Sequence, residues 1–290
     1  MESIFIILIL ALLGTVFGSF AGAQVWRLRA HEHAAGDIEP SEITKDEEKK
    51  ISHLKLVSGA HDRSRCLGCG HQLAWYDLLP IVSWLSLGGR CRYCREPIGP
   101  TEFLLEVGLA ASFVLSFILW PFVLETPLQS VLFALWLIGL VLAAILFVYD
   151  LRWFILPDRI NYAYAGVGLL YALVALQTGA VDSVWSIVGA VAALAGLYLG
   201  LYAVSRGAWV GFGDVKLGVG LGLFLLDWRL AIVSVFLANL IGTFVILPLL
   251  ATKRITRKSI VPFGPFLLIG TFIAALFGRQ LIELYISILL

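Results

Sequence analysis

The chain has 290 residues, of which 60% are hydrophobic and only 14% are charged, and its formal net charge is +1. Soluble domains carry roughly a quarter charged residues. This composition excludes an ordinary soluble domain and predicts an all-α polytopic membrane protein. No nucleic-acid partner is expected.

Eight apolar segments approach the roughly 20 residues that a helix needs to cross the hydrocarbon core. They are predicted near residues 4–25, 103–124, 128–149, 161–176, 184–204, 215–226, 230–250 and 266–288. The sixth is short and contains Gly218, Gly220 and Gly222, which suits either a half-span or a tightly packed helix.

The first predicted domain is the membrane helix at residues 1–25. Ala21-Gly22-Ala23 resembles a signal-peptide cleavage site, but Glu2 is acidic and no Lys or Arg precedes the apolar run. The segment is therefore expected to remain attached as a membrane helix.

A charged segment at residues 26–65 follows the first helix. Its main part, residues 31–63, is rich in His, Asp, Glu and Lys. Such a stretch has too little apolar surface to offset its ordering entropy. It is predicted to be a solvated spacer, either a mobile tether or an exposed helix. Its histidines lack the spacing of metal ligands: His31, His33, His53 and His61.

All four cysteines lie in the next domain, at residues 66–100. They form the pairs Cys66-Leu-Gly-Cys69 and Cys91-Arg-Tyr-Cys94. Two such CxxC turns can bring four thiolates onto one tetrahedral zinc ion, so a zinc-ribbon-like module is predicted between the first two membrane helices. Disulfides or a redox pair are the alternatives, and a cytoplasmic location weighs against disulfides. A closed four-cysteine site implies structural zinc.

The membrane domain at residues 101–290 carries two aspartates at the ends of apolar runs. Asp150 ends Ile-Leu-Phe-Val-Tyr-Asp, and Asp214 closes Gly211-Phe-Gly-Asp214. Ionisable residues in membrane segments are costly and usually functional. Two carboxylates sharing a proton are the reacting groups of aspartic proteases, so Asp150 and Asp214 are the candidate catalytic residues. The alternative is that each caps a helix or lies among the lipid headgroups.

The distribution of Lys and Arg predicts the orientation. With the N-terminus outside and eight spans, segments 26–102, 150–160, 205–216 and 251–265 are inside and hold 19 of the 21 basic residues. Only Arg229 and Arg279 then lie outside. Because cytoplasmic segments carry the excess of Lys and Arg, this orientation is preferred. It places both aspartates at the cytoplasmic ends of their helices.

Five motifs, in one order along the chain, resemble the bacterial prepilin peptidases, which are polytopic aspartic peptidases of the GxGD type. The motifs begin at Cys66-Leu-Gly-Cys-Gly-His, Gly89-Arg-Cys-Arg-Tyr-Cys, Asp150-Leu-Arg-Trp-Phe-Ile-Leu-Pro-Asp, Gly211-Phe-Gly-Asp-Val-Lys-Leu and Pro262-Phe-Gly-Pro-Phe. The resemblance covers nearly the whole chain apart from the charged spacer.

This resemblance implies an enzyme of the bacterial inner membrane. It would remove the short basic leader from type IV prepilins, or from pseudopilins of type II secretion or competence systems, with Asp150 and Asp214 as its catalytic pair. Many members also methylate the newly exposed amine, so S-adenosylmethionine is implied as methyl donor. The alternatives are a cleavage-only peptidase, a proton-coupled transporter and a non-catalytic membrane scaffold.

The residues give mixed signals on methyl transfer. The cysteine module is typical of the bifunctional members. However, Ala21-Gly-Ala-Gln24 stands where members usually carry a run containing Asn, and Gln24 is the candidate to replace that Asn. No glycine-rich dinucleotide fingerprint is present, so the donor would bind between membrane helices and the cytoplasmic domain.

Four further features have open roles. Asp158 is predicted to N-cap the following helix rather than to act as a third catalytic carboxylate. Lys216 could balance the charge of Asp214 or anchor at the interface. Glu106 could receive the substrate amine or simply lie near water. Pro262-Phe-Gly-Pro265 is expected to shape an irregular start of the last span.

Overall fold

A computed structural model describes residues 2–38, 43–54, 63–181, 183–256, 259 and 261–289. These residues form α-helices, one short 3-10 helix and two isolated β-bridges, without a β-strand in any described range. The predicted fold class, an all-α membrane protein with a cysteine module after its first helix, is confirmed. His61, one of the four histidines named for the charged segment, lies outside the described residues.

The chain divides into two compact units, Met1–Phe117 and Ile118–Leu290. Unit 1 contains α1 (Glu2–Ala35), α2 (Lys45–Ser52), the 3-10 helix Trp75–Leu78, α3 (Val82–Ser86) and α4 (Pro100–Ile118). Unit 2 contains α5 (Pro127–Trp153), α6 (Asp158–Gln177), α7 (Val184–Ser205), α8 (Phe212–Leu225), α9 (Trp228–Ala251) and α10 (Gly264–Leu289).

Within unit 1, α1 packs closely against α4 through two glycines. A Cβ added at Gly14 or at Gly18 would lie 2.5 Å from the Cα of Ala110 or of Glu106. Glycines four residues apart on a membrane helix allow such close backbone approach.

The charged segment after the first span is more ordered than predicted. Helix α1 continues past the predicted end of the span to Ala35, and α2 packs against it. The Arg29 guanidinium donates a hydrogen bond to Glu47 at 2.7 Å, and both side chains are buried. Glu47 is thus an exception to the predicted solvated spacer, because a paired charge can be buried where an unpaired one cannot. Most other residues of α2 are exposed, which agrees with the exposed helix that was one of the two predicted forms.

Among the residues that the structure describes, seven helices are long and apolar enough to cross a membrane: α1, α4, α5, α6, α7, α9 and α10. They correspond to seven of the eight predicted spans. The second predicted span, 103–124, ends earlier than expected, at Ile118. Pro121 follows closely, and the residue before a proline disfavours helical backbone.

Helix α8 corresponds to the short sixth span. Of the two predicted possibilities, a half-span or a tightly packed helix, the structure shows the tightly packed helix. Its 14 residues extend about 21 Å at 1.5 Å per residue. A Cβ at Gly222 would lie 2.6 Å from the Val191 Cα of α7, and one at Gly220 would lie 2.5 Å from the Tyr164 ring of α6. The glycines thus let α8 lie deep between its neighbours.

Candidate active site and cysteine module

Asp150 lies in the last turn of α5, with 5% of its surface exposed. Its Oδ2 accepts a hydrogen bond from the backbone N–H of Gly264 at 3.1 Å. Gly264 is the first residue of α10, where backbone N–H groups have no partner within the helix and favour negative charge. The start of α10 therefore supports a carboxylate that stands at the unfavourable, C-terminal end of its own helix.

Asp214 lies in the first turn of α8, where the helix dipole favours a carboxylate. The backbone of Gly211 borders it, since a Cβ added at Gly211 would lie 3.7 Å from Asp214 Oδ2. The charges of Asp150 and Asp214 interact. Two residues 64 positions apart in sequence are thus brought to the same end of unit 2.

Leu156 and Tyr198 form part of the wall around the aspartates. Leu156 packs between two backbone segments, because Cβ atoms added at Gly213 and Gly264 would lie 3.1 Å and 3.6 Å from it. Tyr198 of α7 is buried and interacts electrostatically with Asp214. Its hydroxyl has no hydrogen-bond partner among the residues that the structure describes.

Asn161 of α6 holds the backbone beside Asp214. It is 1% exposed, and its Nδ2 donates a hydrogen bond to the carbonyl oxygen of Gly213 at 3.1 Å. Sequence reasoning missed this residue. The available signal was a polar amide within an apolar helix, since a buried amide needs hydrogen-bond partners.

The four cysteines converge as predicted. The Sγ atoms of Cys66, Cys69, Cys91 and Cys94 all lie within 4.8 Å of one another, and the Cys66 and Cys94 sulfurs are 3.9 Å apart. Four ligands at the usual Zn–S distance of about 2.3 Å stand about 3.8 Å from one another in a regular tetrahedron. The donor set and its spacing therefore fit a tetrahedral zinc ion.

The two cysteine loops share one backbone pattern. In the first loop, Cys66 N–H donates to the carbonyl of His71, and Gly70 N–H donates to the carbonyl of Cys66. In the second, Arg95 N–H donates to Cys91 in the same way. Gly70 and Arg95 both have left-handed backbone, with φ of 69° and 61°. Because glycine suits this conformation better than a residue with a Cβ, the second loop is the more strained.

Comparisons with known proteins identify the family of the chain. The model of the Bacterial Peptidase A24 N-terminal domain matches residues 12–120, and that of the Type IV leader peptidase family matches residues 136–247. A prepilin leader peptidase/N-methyltransferase of Aeromonas hydrophila is 31% identical, over 78% of this chain and 75% of its own length. The chain belongs to the type IV leader peptidase family.

Two other relatives extend the similarity over more of the chain. Both carry the name prepilin leader peptidase/N-methyltransferase. The protein of Pseudomonas aeruginosa is 28% identical over 95% of this chain and 92% of its own length. The protein of Burkholderia pseudomallei is 31% identical over 92% of this chain and 84% of its own length. No solved structure matches the chain. The four cysteines lie within the residues that the N-terminal domain model matches, and Asp150 and Asp214 lie within those that the peptidase model matches.

Asp158 lacks its predicted N-cap role, and Lys216 pairs with it rather than with Asp214. Asp158 is the first residue of α6, Pro157 occupies the N-cap position, and no side chain caps the helix. The Asp158 carboxylate instead accepts a hydrogen bond from Lys216 Nζ at 2.6 Å. The N-cap prediction for Asp158 is wrong because α6 begins one residue earlier than expected, so that Asp158 is already helical. Its carboxylate is engaged by Lys216 instead. Lys216 balances Asp158, not Asp214.

Glu106 of α4 is buried and engaged by the protein itself. Its Oε2 accepts a hydrogen bond from the backbone N–H of Ile81 at 2.6 Å, and Ser19 also hydrogen-bonds to it. Ile81 precedes α3 and has a φ of 61°. Its burial weighs against the predicted alternative that Glu106 simply lies near water, and the other alternative, receiving the substrate amine, stays a prediction. Glu106 fixes the start of α3.

Asp77 ties the 3-10 helix to the second cysteine loop. It accepts hydrogen bonds from Arg92 Nε at 2.8 Å, from the Tyr93 hydroxyl at 2.9 Å and from Ala74 N–H at 3.1 Å. Burial by itself raises the pKa of Asp77, but these hydrogen bonds outweigh it and hold that pKa below the usual range. The carboxylate is thus ionised at neutral pH and serves the folding of the module.

Proposed function

We propose that the protein is a prepilin leader peptidase with Asp150 and Asp214 as its catalytic pair. The observation that carries this proposal is that both carboxylates lie at one end of unit 2, each at the N-terminus of a helix and near enough for their charges to interact. The chain's membership of the leader peptidase family gives this pair its chemistry.

The dyad hydrolyses a peptide bond by sharing one proton. The ionised carboxylate takes a proton from water while the water oxygen forms a bond to the scissile carbonyl carbon. The protonated carboxyl gives its proton to the carbonyl oxygen. When the tetrahedral intermediate collapses, the C–N bond breaks and the leaving amine takes up a proton from the dyad, while a hydroxyl of the intermediate returns its proton to the other carboxylate. The dyad again holds one proton. Because Gly264 N–H holds Asp150 Oδ2, Asp150 Oδ1 is the oxygen left for the reaction.

The substrate follows from the proposed orientation. A prepilin has a basic leader ahead of an apolar helix, so the same preference that keeps Lys and Arg inside holds its leader in the cytoplasm. The scissile bond then lies at the inner membrane interface, at the depth proposed for Asp150 and Asp214. The leaving amine becomes the N-terminus of the mature pilin or pseudopilin.

Zinc is proposed to hold the cysteine module together. Cys66, Cys69, Cys91 and Cys94 would supply all four ligands, which leaves no coordination position for water or substrate. The module therefore contributes structure, and hydrolysis falls to the carboxylates.

Methylation of the new amine is the second proposed activity. It is supported by relatives that match most of the chain and are named prepilin leader peptidase/N-methyltransferase. S-adenosylmethionine would supply the methyl group. Glu106 accepts hydrogen bonds from Ile81 and Ser19 and keeps acceptor sites on its carboxylate, so it stays a candidate to receive the substrate amine.

The test is cleavage of a candidate prepilin by the purified full chain in lipid nanodiscs, followed by mass spectrometry of the product's N-terminus. Asp150→Asn and Asp214→Asn are each expected to abolish cleavage. Asp158→Asn is the matched control, because Asp158 lies close to the start of α6 and pairs with Lys216. Substantial cleavage by either dyad variant, in protein that inserts and elutes like the wild type, would falsify the assignment.

A further inference from the structure

A cavity of about 280 Å³ opens at the end of unit 2 opposite the two aspartates. Its lining includes Leu225 and Leu226 at the C-terminal end of α8, whereas Asp214 lies in the first turn of that helix. Asp214 and Leu225 are 11 positions apart, which corresponds to about 16 Å along the helix. The cavity is therefore separate from the proposed peptidase site.

The floor of the cavity is aromatic. Trp136, Tyr171 and Phe224 line it, and each is less than 5% exposed. Trp120 stands beside them, with its ring centroid 5.9 Å from that of Trp136. The Trp120 indole N–H is buried and has no hydrogen-bond partner among the described residues. A ligand in the cavity would thus meet a rigid apolar floor and a free donor at its edge.

Two arginines stand at the mouth of the cavity. Arg229 lies 5.6 Å above the Trp228 ring, and Arg279 lies 5.6 Å above the Phe122 ring. Neither guanidinium forms an ion pair with a carboxylate in the part of the chain that the structure describes. Both side chains are exposed and have their hydrogen-bond donors available.

One acidic residue, Asp227, also belongs to the described lining. Its Oδ1 accepts a hydrogen bond from the backbone N–H of Arg229 at 2.8 Å and so caps the start of α9. The described lining thus has two positively charged side chains, Arg229 and Arg279, and one negatively charged side chain, Asp227. The lining therefore keeps a net positive charge.

The position of these arginines is unusual for this chain. In the proposed orientation, Arg229 and Arg279 are the only Lys or Arg residues outside, against 19 inside. Positive residues near membrane helices are depleted from the outer side. Both exceptions line one cavity, although they come from different helices, α9 and α10. Their convergence indicates a shared ligand rather than two separate interface anchors.

We propose that this cavity binds the phosphate group of an anionic ligand through the guanidiniums of Arg229 and Arg279. The planar, two-pronged donors of Arg match the oxygens of a phosphate, and basic pockets between membrane helices hold the headgroups of anionic phospholipids. The exposed indole of Trp228 belongs to the residue type enriched at headgroup depth. The source is therefore a phospholipid of the outer leaflet or a soluble phosphate compound that enters from outside.

The experiment measures retained ligand on the full chain by native mass spectrometry. The protein is released from detergent after incubation with phosphatidylglycerol or with phosphatidylethanolamine of the same acyl chains, and in a third arm with inorganic phosphate. The variants are Arg229→Gln, Arg279→Gln and the two together. Arg254→Gln is the matched control, since Arg254 is an exposed arginine that follows the other end of α9.

We expect the wild type and Arg254→Gln to retain one phosphatidylglycerol, and the double variant to lose it by about tenfold or more. Phosphatidylethanolamine should be retained less. Binding of inorganic phosphate without phosphatidylglycerol, again lost in the double variant, also supports the phosphate site and identifies a soluble source. Equal retention of every ligand by the wild type and the double variant, or no binding in any arm, overturns the proposal. Unchanged prepilin cleavage in the single variants verifies that they are folded.

Discussion

The backbone N–H of Gly264 donates a hydrogen bond to Asp150 Oδ2 at 3.1 Å, which joins residues 114 positions apart in the chain. The contact couples the last turn of α5 to the first residue of α10. It also explains why a glycine stands between Phe263 and Pro265, because a side chain at this position would occupy the space of the carboxylate.

Gly264→Ala is expected to impair cleavage strongly. The added Cβ would lie 2.6 Å from Asp150 Oδ2, so the carboxylate must move, and a displacement of about 1 Å in a catalytic group can cost about 100-fold in rate. The measurement is the initial rate of prepilin cleavage. Gly196→Ala is the control, since a Cβ there meets nothing within 4 Å. A Gly264→Ala enzyme with the wild-type rate would show that Asp150 does not depend on this contact.

Asn161→Ala is expected to lower kcat about tenfold with little change in KM. The substitution leaves the buried carbonyl of Gly213 without its donor, at a cost of about 1–3 kcal/mol, and loosens the turn that positions Asp214. Asn239→Ala is a matched control, because the exposed Asn239 donates a similar bond to Val235 O at 2.8 Å on its own helix. A larger loss of kcat in Asn161→Ala than in Asn239→Ala, with KM little changed in both, identifies a positioning role. Parallel losses in both variants contradict it.

The helices and the two cysteine pairs could be predicted from the sequence because each has a local signal. Apolar length predicts a span, and Cys-x-x-Cys predicts a metal loop. The amide of Gly264 has no such signal, and the polar amide of Asn161 within an apolar helix indicates only that a partner is needed. Which atoms they contact depends on which helix ends meet in three dimensions. Asp158 was misassigned for the same reason: its local pattern fits an N-cap, but its partner Lys216 comes from another helix.

One zinc ion per chain is expected, held by Cys66, Cys69, Cys91 and Cys94. Changing Cys69 to Ser removes a ligand and should abolish zinc retention, measured by metal analysis of the purified protein. Brief chelation should unfold the cysteine module before it affects hydrolysis, because structural zinc supplies folding energy and no open coordination position. A zinc-free protein with a folded module, or a mass that shows intact disulfides, contradicts this prediction.

Substitutions at the two left-handed positions of the cysteine loops should have opposite effects on zinc retention. Gly70→Ala introduces a Cβ at a φ of 69° and 2.9 Å from His53 Nδ1, so it should destabilise the module by about 1 kcal/mol. Arg95→Gly removes the Cβ from the equivalent position and should slow zinc release to a competing chelator. Faster release from Arg95→Gly than from the wild type would mean that the two loops are not equivalent.

Methyl transfer should survive Asp150→Asn when the substrate is supplied already cut. The carboxylate dyad acts on the peptide bond, whereas methylation acts on the amine that cleavage exposes, so the second step needs no proton from Asp150. The measurement is the mass of a pre-cut pilin after incubation with the variant and S-adenosylmethionine, and an Asp150→Asn protein tested on uncut prepilin is the control for absent cleavage. A gain of one methyl group on the pre-cut substrate alone separates the two activities. If the wild type cleaves efficiently but leaves the new N-terminus unmethylated with the donor present, the protein is a peptidase only, and the run Ala21-Gly-Ala-Gln24 is then the place where it departs from the bifunctional members.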